Sequence, residues 1–229
     1  MRIWPPVVLS GWTPRAKGII VGADSEERDV ISVKLRYCWL LGAVALFSGC
    51  GKEEHAEAVR FSKTLQQKSA DFAGANAMEK DFVASARSWC GPIMESGSGR
   101  GDQLKQNVAV AKDLATSAAF ISTKLGAVRQ AIYDEPIKQE YPQSIRVGLI
   151  TQLTKRQRFL QEARAMLDDS AAGFLELGLG HDYKGDSYPG NIPKLNAMLE
   201  GSTSPKDVVG EAIQSLKTKY NITDADLAK

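Results

Sequence analysis

Apolar residues recur along much of this chain at intervals of three and four, with Glu, Lys, Gln and Asp between them, the signature of amphipathic helices. Clearest is 103–133. There Leu104, Val108, Ala111, Leu114, Ala118, Ile121, Leu125, Val128 and Ile132 form a near-heptad seam, with one stammer-like slip at 111–114. Alanines at 109, 111, 115, 118, 119, 127 and 131 suit close helix packing. Asp134, Glu135 and Pro136 end this helix.

A second long helix is predicted over 142–177, with Pro142 in its first turn, where a missing N–H does no harm. Leu153, Leu160, Leu167 and Phe174 stand seven apart, and Leu149 and Ala163 fill a companion line. Arg156 falls on that companion line among apolar neighbours. A stem laid along the apolar surface with its head in water is the favoured reading, over a pair with an acid on a facing helix. Lys155, Arg156 and Arg158 read as a solvated charged face, supported by i,i+4 pairs Arg158–Glu162 and Arg164–Asp168.

Residues 52–89 carry Phe61, Leu65, Phe72, Phe82, Ala86 and Trp89 at helical spacing. Gly74, Ala75 and Asn76 are read as an interruption, with Asn76 capping a new helix and Glu79 in the capping-box position. Trp89, Cys90, Gly91 and Pro92 are read as the stop. A glycine-rich loop over 91–101 follows, and Asp102 is read as the N-cap of the next helix.

Beyond Gly180 the texture changes. Residues 181–193 are rich in turn formers, include Tyr183 and Tyr188, and show no helical period. A short helix is predicted at 194–200. A last one is opened by Ser204 as cap, Pro205 in the first turn and Asp207 at the third position, with Val209, Ala212, Ile213, Leu216 and Tyr220 on one face. Together these predict an all-α fold: an elongated up-and-down bundle of about three long helices, over 50–180, plus short C-terminal helices and an aromatic loop, over 181–229, packed on it.

The stretch before the bundle is of another kind. Lys34 and Arg36 precede an unbroken apolar run from Tyr37 to Phe47; Ser48 and Gly49 follow, then Cys50, and the chain turns polar at once. That is the layout of a secretory signal. The run is well short of the roughly 20 apolar residues that cross a bilayer. With its cysteine directly after small residues, Leu46-Phe47-Ser48-Gly49-Cys50 resembles the lipobox of bacterial lipoproteins, although Phe47 stands where that pattern carries a smaller aliphatic residue. The resemblance implies a signal peptide over 33–49, cleavage between Gly49 and Cys50, and lipid carried on Cys50. Gly51, in place of the aspartate associated with inner-membrane retention, implies attachment to the outer membrane facing the periplasm. Residues 1–32 do not fit a signal: Pro5, Pro6 and Pro14 break helices, and Glu26, Glu27 and Asp29 stand where a basic segment belongs. They are read as a disordered upstream extension, with the true start near Val33.

Cleavage would change the electrostatics. Six of the 29 cations and four of the 27 anions precede Cys50, which leaves 23 of each in the mature part. A balanced domain has no clustered cationic surface of the kind nucleic acid requires. Of the three cysteines, Cys38 leaves with the signal and Cys50 is acylated, so Cys90 remains alone and no internal disulfide is expected.

Catalytic patterns are missing. There is no nucleophile elbow, Walker loop, dinucleotide glycine fingerprint, zinc-helix motif or haem motif, and the only histidines are His55 and His181. His181, Asp182 and Asp186 lack a further ligand at metal spacing. The chain is therefore expected to be no enzyme, with no cofactor and no metal. It reads as a lipid-anchored module acting through a protein partner. The alternative is a periplasmic small-ligand binder with a pocket between the bundle and the 181–193 loop, lined by Trp89, Tyr183 and Tyr188.

Overall fold

The computed structural model describes the backbone of residues 29–181, 191–202 and 205–228, and side chains from Gly51 onward. The helices are α1 (Asp29–Ser96), α2 (Asp102–Asp134), α3 (Glu140–Gly178), α4 (Asn191–Glu200), α5 (Val208–Tyr220) and α6 (Asp224–Ala228), and the described residues contain no strand. The chain divides into two compact units, Met1–Ser48 and Gly49–Lys229. All side-chain relationships below belong to the second.

That unit is an elongated up-and-down bundle of α1 (from Gly51 on), α2 and α3. At 1.5 Å per residue, α2 and α3 run about 50 and 58 Å. Cross-helix contacts fix the directions. Arg60 meets Glu135 while Trp89 meets Asn107, so α1 and α2 are antiparallel. Arg146 reaches the Tyr133 carbonyl while Gln157 reaches that of Ser122, so α2 and α3 are antiparallel as well.

The core lines follow a seven-residue spacing, which keeps one helical stripe against its neighbours, with Lys68, Glu79 and Arg156 standing at the skipped positions. On α1 the lines are Ala58, Leu65, Phe72, Ala86 and Ile93, then Phe61, Ala75, Phe82 and Trp89, all buried. On α2 they are Leu104, Ala111, Ala118, Leu125 and Ile132, then Leu114, Ile121 and Val128. The slip expected at 111–114 came from placing Val108 on the seam. Asn107 holds the position seven before Leu114; both residues are half-buried, and Asn107 accepts the Trp89 Nε1–H at 3.2 Å. On α3, Leu153, Leu160, Leu167 and Phe174 are fully buried, with Leu149, Ala163 and Ser170 on the companion line. Each such leucine contributes roughly 1.5–3 kcal/mol by leaving water.

The expected break at 74–76 is not made, and the helix passes straight through. Ala75 and Asn76 face the core, so packing outweighs the roughly 1 kcal/mol helical penalty of Gly74. Nor does the helix stop at Pro92, which lies inside it. One carbonyl loses a donor, but only near the end, and continuing by one turn buries Ile93. The stop comes at Gly97, whose φ of 82° is left-handed and whose N–H donates to the Ile93 carbonyl at 2.8 Å. Asp102 begins α2 rather than capping it; Gly101, at φ 57°, holds the cap position and Asp102 pairs with Lys105. Of the two pairs expected on α3, Arg164–Asp168 forms at 3.3 Å and Arg158–Glu162 does not.

The C-terminal helices pack on the bundle through Ile192, Leu195, Leu199, Val209 and Leu216. Helix α4 begins three residues before its expected start, and Asn191 donates to the Asp169 carboxylate at 2.8 Å. The cap of α5 is Asp207, which accepts the Gly210 N–H at 2.9 Å; Ser204 lies outside the described residues. A reciprocal Thr223–Asp226 capping box opens α6.

Candidate functional site

Cys50 and Gly49, the residues expected to be lipidated and to flank the cleavage, lie on the α1 backbone within the stretch whose side chains are not described. The turns that follow are bonded to the rest of the bundle. Glu54 accepts the Tyr220 hydroxyl at 2.5 Å. Glu57 accepts the backbone N–H groups of Lys138 and Gln139 at 2.9 and 2.8 Å, capping α3 from outside. Arg60 pairs with Glu135, which also accepts from Thr64 at 2.8 Å. Burial and then the Glu54 carboxylate push the Tyr220 phenol well above its ordinary range. The turns just after Cys50 are thus tied to the 135–139 connection and the end of α5. Among the described residues, no helix is long and apolar enough to cross a membrane.

Trp89 is a core residue, 9% exposed, with its ring edge-on to Phe174 at 6.0 Å. Tyr183 and Tyr188 lie outside the described residues. Next to Phe174, at the far end of α3, a cavity of about 290 Å³ is lined by Leu104, Val108, Leu175 and Leu179. A larger groove of about 430 Å³ runs between α1 and α2, lined by Met78, Phe82, Leu114 and Phe120. His181 is exposed; its ring Nδ1 lies 3.1 Å from the Glu176 carboxylate and its backbone N–H donates to the Glu176 carbonyl at 3.0 Å. Among the described residues no three His, Cys, Asp or Glu side chains come together to hold a metal ion.

Cys90 is fully buried in the apolar core, and burial pushes its thiol up to about 12. A thiol so far from ionising at neutral pH is neither nucleophile nor ready ligand.

The cluster that residue spacing alone did not assemble is Asn76–Glu79–Arg156. The Arg156 head does not snorkel outward: it turns to the facing helix, with its side chain 14% exposed. Its Nε donates to Glu79 Oε2 at 2.9 Å, its Nη2 donates to the same carboxylate and to Asn76 Oδ1 at 2.6 Å, and its plane lies over the Phe72 ring. Asn76 passes the network on to the Lys206 carbonyl at 3.3 Å, in the connection before α5. A signal was present: Glu79 interrupts one seven-residue apolar line and Arg156 another, and two opposite charges out of place on facing stripes satisfy each other.

Comparison with protein-family models, curated proteins and solved structures finds no match to this chain.

Proposed function

We propose that this chain is a lipid-anchored protein of the bacterial cell envelope, held by acyl chains on Cys50 to the outer membrane and facing the periplasm. It acts by contact, as a spacer or adaptor for a protein partner. The observation that carries the reading is the segment 34–50: two cations, an apolar run too short to span, two small residues and a cysteine. Several acyl chains make attachment stable where one would be marginal.

An anchor at Cys50 would hold the bundle close to the bilayer, because Glu54 and Glu57 are already bonded to it. The opposite end would then stand about 65–70 Å away along α1, counting 1.5 Å per residue to Ser96. Exposed apolar side chains at that end, Met94, Leu175 and Leu179, suit a contact role. No described cluster argues for catalysis.

The test is envelope fractionation in a Gram-negative host. Wild type is expected in the outer-membrane fraction, Gly51→Asp in the inner-membrane fraction, and Cys50→Ser in neither mature, lipid-bound form. Crosslinking of intact envelopes should capture a defined partner with wild type and not with Cys50→Ser. Equal recovery of wild type and Cys50→Ser in membranes would remove the basis of the reading.

A further inference from the structure

Lys155 and Arg156 are more than a solvated face. With Gln152, Glu79, Lys206 and Glu211 they line a cavity of about 350 Å³ where α1, α3 and the start of α5 meet. Arg156 is fixed there. Glu79 and Asn76 occupy its Nε and Nη2, while Nη1 is buried and has no hydrogen-bond partner. A guanidinium held in one orientation with a donor to spare is pre-organised for an oxygen acceptor, and buried donors are rarely left unmet.

The charge around it has a definite sign. Glu79 neutralises Arg156, so the lining charges that remain are the Lys155 and Lys206 ammoniums and the Glu211 carboxylate. Among the described residues, none of these three makes an ion pair. Two free cations against one free carboxylate, beside a fixed guanidinium and the Gln152 amide, favour a small ligand of net negative charge.

We propose that this cavity binds a small free oxyanion, a carboxylate or phosphate, between Arg156, Lys155 and Lys206. Lipid headgroups carry the same phosphate chemistry, but Glu79 stands 29 residues along α1 from Cys50, about 43 Å.

The full chain titrated with inorganic phosphate, and separately with succinate, tests this by amide NMR at constant ionic strength, so that screening does not change. Saturable shifts are expected for amides of 152–158 and 206–211. Lys155→Ala/Lys206→Ala, which alters two exposed side chains and leaves the core intact, should weaken binding at least tenfold. Glu211→Gln should tighten it by removing a repulsive charge. Non-saturating shifts, shifts spread over all surface cations, or unchanged binding by the lysine double variant would overturn the proposal. So would a response to phosphatidylglycerol vesicles with none to free phosphate.

Discussion

Arg156 of α3 and Glu79 of α1 form an ion pair inside the bundle, with side chains only 14% and 7% exposed. Such a pair contributes little relative to apolar packing, yet breaking it strands a buried charge. Glu79→Leu alone is therefore expected to destabilise by about 3–5 kcal/mol, while Glu79→Leu/Arg156→Met should recover most of that loss. Urea unfolding of the wild type and these variants measures it. Equal losses in the single and double variants would mean that the pair is not what Glu79 supplies.

The seven-residue lines predict where the bundle is sensitive. Leu160→Ala, at a fully buried position, should cost about 2–5 kcal/mol. Phe120→Ala, at a position 52% exposed, should change stability by about 0.5 kcal/mol or less. Comparable losses at both sites would contradict the assignment of faces.

Cys90 gives a pH signature. Its unfolded thiol ionises near 9.0 and its folded thiol at about 12. Below pH 9 both states keep the proton and stability is unaffected. Between pH 9 and 12 the unfolded state binds fewer protons, so stability falls as pH rises, by about 1.4 kcal/mol per unit for this group. Tyr220, also raised, adds to the fall at higher pH. Cys90→Ala should start slightly less stable at pH 8 and lose less stability by pH 10.5, as read from urea midpoints. Alkylation of Cys90 at neutral pH should be slow in the folded chain and fast in urea; rapid labelling without denaturant would show the thiol accessible.

The bundle was legible because α2 and α3 repeat their leucines, isoleucines and alanines at seven-residue intervals that local spacing displays directly. What misled was local too. Asn76 and Glu79, three apart, have the form of a capping box, but on a continuous helix the same spacing puts both on one face, and that face meets Arg156. Pro92 is a strong breaker by propensity, overruled near the helix end by burial of Ile93. Of the expected pocket, Trp89 is nearly enclosed by its contacts with Phe174 and Asn107. Lys206 could not have been assigned to a cavity with Lys155, since only tertiary packing brings residues 51 apart in sequence together.

Lipid on Cys50 is what the proposed function requires. Mass spectrometry of the N-terminal peptide from the chain purified out of Gram-negative membranes tests it most directly. The predicted result is a peptide that begins at Cys50 and carries a diacylglyceryl group on sulfur with a further acyl chain on its amine. A peptide beginning at Cys50 or elsewhere with a free thiol, or one that reads through Gly49 and Cys50 uncleaved, would contradict it.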